Sequence, residues 1–334
     1  MGFGVVSLMN AMFRHMFTSA GLRPASATVD AGDDTVIHFW AHPSLLQPPP
    51  SSSAAASESE QRRPVVLLIH GFGPDPTWQW APQVGPLSRH FDLVVPTLLL
   101  FGASSTRAPA RSDAFQAAAL AALLSGGHLP GLAAGDRRAV HVVGTDYGGL
   151  VAYRLAGELV ERHRQQVGKV VLCNCDAWRS AEDDAAVAAR AGVAEVTELL
   201  APADTRALRR RWAACTYRPS KYVPECFLRD LFKKHFADKR EEKAALVKGM
   251  TNGEGGFQLT PLPQEVLIIW GEFDQIFPVD KAYKMKEKLG EKATVKVIPK
   301  TGHMPQLEEL KLFNRVLLDF LLQSSPSNGS TAAK

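Results

Sequence analysis

The sequence predicts an α/β protein built on a mostly parallel, doubly wound sheet. Two observations carry this. Short, uninterrupted Val/Ile/Leu runs bounded by Gly or Pro recur along the chain, the pattern of strands buried on both faces. Stretches with helical apolar spacing separate them, which implies βαβ units. A third supports the other two: at 334 residues, 46% hydrophobic and 22% charged, the chain can bury one large core with an insertion.

The elements follow in order. Residues 1–42 form an N-terminal segment and a first strand, "TVIHFWAH" at 35–42. The opening "MGFGVVSLMNAMFRHMFTSAGLRP" carries Arg14 and Arg23 and no acid before Asp30. Three readings stand for residues 1–24: a helix packed on the body, a membrane-surface anchor, or an organelle transit segment. The myristoylation pattern fails at Val6. Residues 43–64, rich in Pro, Ser and Ala, cannot bury enough apolar surface to order themselves and are expected to be a flexible linker. Core strands are then expected at "VVLLIH" (65–70), "FDLVVPTLLL" (91–100), "AVHVVGT" (139–145) and "KVVLCN" (169–174), within a first core part spanning 65–178. Residues 179–263 contain helical patterns without convincing strands and read as an inserted helical cap. A second core part, 264–323, holds "EVLIIWG", "ATVKVIP" and the amphipathic "LEELKLFNRVLLDFLLQ". Residues 324–334 are expected to be a disordered tail.

Charge and cysteine content exclude several classes. The formal charge is only +4, and the one dense basic run, Arg209-Arg210-Arg211, reads as a solvated helix face, so no nucleic-acid partner is implied. Four cysteines are too few for a disulfide scaffold, and one of Cys173 and Cys175 is expected to face each side of the sheet. All four are taken as reduced thiols of a cytoplasmic-type protein, with targeting or membrane association left to residues 1–24. No apolar run approaches the roughly 20 residues of a membrane span. No metal or organic cofactor is implied.

The chemistry starts at "GTDYGG", residues 144–149, between a predicted strand and a predicted helix. Glycines flanking the middle residue let the backbone bend tightly, which lifts the side chain of Asp146 above the sheet. Asp274 follows a strand in "WGEFDQIFP", and His303 follows the last strand in "IPKTGHMPQLE". Nucleophile, acid, histidine is the chain order of α/β hydrolases. Standing alone, Asp274 is equally a loop-capping carboxylate, with Glu272 and Asp280 as neighbouring alternatives.

Together, "LLIHGFG", "GTDYGG", "WGEFDQIFP" and "KTGHMPQLE" resemble the four signature loops of the α/β-hydrolase superfamily, over roughly residues 20–323. Within it, the sequence resembles a plant group often called monoacylglycerol-lipase-like or abhydrolase-6-like, which carries "HGFG…WQW" and a serine elbow, "GTSYGG". The aspartate at the elbow is similar to that of epoxide hydrolases and haloalkane dehalogenases. The resemblance implies an α/β-hydrolase fold with a helical cap and an oxyanion hole formed by the backbone N–H groups of Phe72 and Tyr147. Losing one such donor typically costs about 3 kcal/mol.

Aspartate is already an anion near neutral pH and attacks without a base. On an ester carbonyl it would give an anhydride. On an sp3 carbon bearing an epoxide oxygen or a halide it gives a stable alkyl-enzyme ester, which His303, oriented by Asp274, would hydrolyse by activating water. His70, Trp78, Trp80 and the cap tyrosines Tyr217 and Tyr222 are assigned to the pocket for a small apolar substrate, the tyrosines also as aids to epoxide opening. Three positions depart from the patterns: Tyr147 stands where dehalogenases carry Trp, Gly73 precedes Pro74 where epoxide hydrolases read His-Gly-x-Pro, and Thr97 replaces the aspartate of "PDLLFFG". Two alternatives therefore remain open, a hydrolase in which His303 activates water by itself and a catalytically degenerate relative that binds a ligand or partner.

Overall fold

The computed structural model describes residues 4–48, 62–132, 138–162, 167–177, 179–220, 222–250 and 257–323. Eight strands form one sheet: β1 (Arg23–Asp30), β2 (Thr35–Ala41), β3 (Val65–Ile69), β4 (Asp92–Pro96), β5 (Val140–Thr145), β6 (Val167–Cys173), β7 (Glu265–Gly271) and β8 (Ala293–Ile298). Their spatial order is β1-β2-β4-β3-β5-β6-β7-β8. β1 and β2 pair antiparallel, as do β2 and β4, while every pairing from β4 through β8 is parallel. This is the α/β-hydrolase fold.

Period-two alternation divides the strand side chains between two cores. Val65, Leu67 and Ile69 face one side and Val66 and Leu68 the other, all with no exposed surface. Cys173 ends β6 and faces the second core, whereas Cys175, beyond the turn that Asn174 makes at φ +42°, faces the first; all four cysteines are free thiols. Helices Asp113–Ser125 and Tyr147–Arg162 pack on the first face, and Pro76–Ser88 and Leu310–Leu322 on the second.

Three elements depart from the sequence expectation. β1 was not anticipated, because "RPASATVD" is a half-exposed edge strand with no apolar run to mark it. The run 91–100 stays a strand only to Pro96; beyond it, His70 Nε2 accepts the N–H of Leu98, and Leu100 takes φ +74°, turning the chain out of the sheet. The expected linker begins with structure, since His42 caps a short helix, Pro43–Leu46, that buries Leu45 completely. Most of that linker, residues 49–61, and the tail, 324–334, lie outside the described residues.

Between β6 and β7 the chain forms helices Ala181–Ala191, Val196–Leu200, Thr205–Cys215, Glu225–Leu231 and Arg240–Lys248, with a π-turn at Phe232–Phe236. The first is closed by a capping box in which Ser180 and Asp183 satisfy each other's backbone N–H groups. These helices lie over the carboxyl ends of the parallel strands, where ligands bind in open α/β sheets. No described helix is long and apolar enough to cross a membrane.

Candidate active site

The elbow joins β5 to the helix Tyr147–Arg162 through one residue in the left-handed region, Asp146 at φ +52°. A non-glycine residue there typically costs about 1–3 kcal/mol. The surroundings hold it: Asp146 N–H donates to Cys173 O (2.9 Å), and Gly149 N–H donates to Asp146 O (2.9 Å). A Cβ on Gly148 would lie 2.4 Å from His70 O, so the helix starts flush against the end of β3.

The two oxygens of Asp146 have different environments. Phe72 N–H donates to Oδ2 at 2.8 Å, while Oδ1 lies 3.4 Å from His303 Nε2. On its other side, His303 Nδ1 donates to Asp274 Oδ2 at 2.8 Å. Asp274 is fixed in turn, because Oδ1 accepts the N–H groups of Ile276 (2.8 Å) and Phe277 (3.0 Å) and Oδ2 also accepts Asn174 Nδ2 (2.6 Å). All three charged groups are less than a tenth exposed. The alternative acids are elsewhere: Glu272 accepts the N–H of Lys300, and exposed Asp280 pairs with Lys284.

The electrostatics follow from this packing. Burial works against the charged form of His303, but the Asp274 and Asp146 carboxylates outweigh it and hold the imidazole pKa well above 6.5. Burial would raise the Asp146 pKa; the His303 and Arg211 charges and the Phe72 N–H reverse that and leave it lowered. The resting site is therefore an imidazolium between two carboxylates. A raised histidine pKa contributes stability that is fully present below 6.5 and lost as pH rises through the folded-state value. Urea unfolding of the wild type and of His303→Gln should accordingly differ most near pH 6, with the gap closing steadily into the alkaline range. A gap that widens with pH would mean that the imidazole is neutral at rest.

Arg211, expected on a solvated helix face, is 7% exposed instead. Its guanidinium donates to the carbonyls of Leu199, Leu200 and Phe72. Arg209 does face outward, pairing with Glu225. The signal was in the spacing: Arg211 shares a helix face with Leu208 and Cys215, both buried. Two further residues had no sequence signal. Asn174, at φ +42°, joins Asp274 to Gly271 N–H. Glu308 accepts the N–H groups of Gly302 (2.8 Å) and Tyr217 (2.9 Å), tying the histidine loop to the cap.

Asp146 and His303 open into a cavity of about 110 Å³ beneath the cap, walled mainly by Trp78, Leu208, Trp212, Leu231 and Phe236, with Arg211 also in its lining. Trp78 is thus where the sequence put it, on a helix started by Pro76 and the Asp75 cap. The other pocket assignments need correction. Trp80, two residues on, points into the opposite core and has no exposed surface. His70 is fully buried and braces the loop, with Nδ1 donating to Gly71 O and Nε2 accepting Leu98 N–H; burial lowers its pKa to about 4. Tyr217 stacks on Phe273 outside the cavity, and Tyr222 is 79% exposed. Tyr147 presents its backbone at the helix start, where first-turn N–H groups lack intrahelical acceptors, while its ring packs edge-on to Phe72.

A parallel sheet with an elbow after β5, an acid after β7 and a histidine after β8 defines the α/β-hydrolase class. The chain belongs to that family: the family model for the alpha/beta hydrolase fold matches residues 64–310. It is 31% identical over 258 residues to the dihydrolipoyllysine-residue acetyltransferase component of an acetoin cleaving system from Cupriavidus necator, covering 75% of this chain and 62% of that protein. It is 27% identical over 267 residues to 2-hydroxymuconate semialdehyde hydrolase of a Pseudomonas species, covering 78% and 87% of the two chains. Among solved structures, a bacterial membrane phospholipase A superposes with a TM-score of 0.70 at 20% identity, covering 95% of this chain and 91% of that one. A 2-hydroxy-6-oxo-6-phenylhexa-2,4-dienoate hydrolase from Rhodococcus gives 0.66 at 20% identity, covering 90% and 98%. At such identities these structures speak for the fold alone.

Proposed function

We propose that the protein is a hydrolase in which Asp146 attacks an epoxide, or a similar carbon bearing a leaving group, and His303 then directs water onto the resulting ester. One observation carries the reading: Phe72 N–H holds Asp146 Oδ2, which leaves Oδ1 facing the cavity and His303. After attack by Oδ1, Oδ2 becomes the ester carbonyl oxygen, already on one donor of the hole, with Tyr147 N–H as the second. The same contact argues against serine-type hydrolysis of a bound ester, because the substrate carbonyl would have to displace a carboxylate from that donor.

The proton balance follows from the charges. Alkylation removes the negative charge of Asp146, one of the two groups that favour the imidazolium, so the His303 pKa falls. The released proton goes to the departing oxygen, and neutral His303 becomes the base that takes a proton from water. Hydroxide adds to the ester carbon, the hole stabilises the oxyanion, and collapse frees the alcohol and restores both charges. The cap tyrosines Tyr217 and Tyr222 stand outside the cavity, so the charge on the departing oxygen is offset by Arg211 and His303 in this reading. Arg211 has a second role as a positioning residue, because its bond to Phe72 O fixes the loop that carries the donor N–H. The apolar walls favour a small apolar substrate.

The test is intact-protein mass spectrometry of His303→Gln after incubation with a styrene-oxide probe. Removing the base should slow the second step about 10²–10⁴-fold, with water supplying the proton for the first. An adduct of the probe's mass, mapped to Asp146, is expected. Unmodified protein across a broad panel of epoxides and alkyl halides would overturn the proposal and favour a ligand-binding protein.

A further inference from the structure

Eight large apolar side chains are prominently exposed among the described residues, and three of them share the helix Val5–Ser19: Val5 (61%), Leu8 (68%) and Met12 (49%). Spaced i, i+3 and i+7, they form one outward stripe. The opposite face is apolar as well and is already occupied. Val6 and Phe17 have no exposed surface, Phe13 packs edge-on to Trp78 at 5.0 Å, and Asn10 Oδ1 accepts Trp78 Nε1 at 2.6 Å. Val6 belongs to the same cluster as Trp78, Leu208, Leu231 and Phe236, which wall the cavity. The helix is thus the outer skin of that wall, apolar on both sides.

A helix apolar on two faces needs a second apolar neighbour. Charge selects which one. No acidic residue occurs before Asp30, whereas Arg14 and His15 are exposed on the helix. The adjoining π-turn adds Lys233 and Lys234; Lys234 reaches Ser7 Oγ at 2.6 Å and also pairs with Asp230. A second copy would bring the same cationic rim against this one, whereas an anionic bilayer offers hydrocarbon framed by negative charge.

We infer that the helix Val5–Ser19 docks the protein on an anionic membrane surface, with Val5, Leu8 and Met12 inserted among the lipids and Arg14 at the headgroups. The cavity wall behind it then faces the bilayer, so an apolar substrate partitioned into lipid is concentrated beside the site. The surface is independent of the chemistry proposed for Asp146.

The full chain should be tested by flotation with phosphatidylcholine vesicles, with and without phosphatidylglycerol. The wild type should float with the mixed vesicles, and less so as salt is raised. Leu8→Gln/Met12→Gln should bind at least about tenfold more weakly, since each exposed side chain buried in lipid is worth on the order of one decade or more. Both changes are at exposed positions, so melting should be unchanged. Arg14→Glu, a second and milder variant, should lose the preference for phosphatidylglycerol while leaving the stripe intact. A wild type that stays unbound with both vesicle types, or a double variant that floats equally well, overturns the inference. So does a dimer in gel filtration that the double variant converts to monomer, which would give the stripe to a second copy.

Discussion

Asp146→Asn should reduce turnover of an epoxide by about 10⁴-fold or more while leaving the fold intact, as expected when a nucleophile is lost and its setting kept. The carboxamide has the shape of the carboxylate, and its oxygen can still accept the Phe72 N–H that now holds Oδ2 at 2.8 Å. It carries no charge and is a poor nucleophile, so no alkyl ester forms. The change also removes one of the two carboxylates that hold His303 as a cation, so its pKa should fall toward the ordinary range, which NMR titration of the ring reads directly. Kinetics of diol formation decide the matter. Activity within tenfold of wild type would mean that water, activated by His303, attacks the substrate without a covalent step.

Gly148→Ala should be among the most destabilising single methyl additions in the protein, costing about 3 kcal/mol or more. A Cβ there would meet His70 O at 2.4 Å and Ile69 O at 2.5 Å, both backbone atoms at the end of β3. Nothing flexible can move aside. Relief would need the helix Tyr147–Arg162 to lift from the sheet, pulling the elbow away from the Phe72 N–H. Urea unfolding should show the loss, and any soluble variant should also be inactive. A midpoint unchanged from wild type would mean that helix and strand are less closely seated than described.

What the sequence disclosed divides by the kind of information needed. The buried strands were legible because burial on both faces writes itself as a continuous apolar run, as in β3, β5 and β7. β1 was not, since an edge strand with half-exposed faces has no composition of its own. The meeting of Asp146, Asp274 and His303 was readable from loop order, because parallel strands deliver their carboxyl-terminal loops to one edge. Side-chain direction within helices was the weak point. Trp78 and Trp80 look equivalent in "PTWQW", yet 3.6-residue periodicity sends one to the cavity and the other to the opposite core. The same blindness hid Arg211 within a basic run, whereas Tyr217 and Tyr222, between the helices Thr205–Cys215 and Glu225–Leu231, go to the pocket on residue type alone.

The seating of the cap has a kinetic consequence. Arg211 grips the carbonyl of Phe72, Cys215 O receives the backbone N–H of His303, and Glu308 spans Gly302 and Tyr217. Each attachment joins the roof to a loop bearing part of the reactive constellation. A swing of the roof that broke these attachments would unfasten the Phe72 and His303 loops together. Turnover would then be governed by a latch that re-forms once per cycle, and solvent viscosity should slow the reaction even where the bond-making steps are fast.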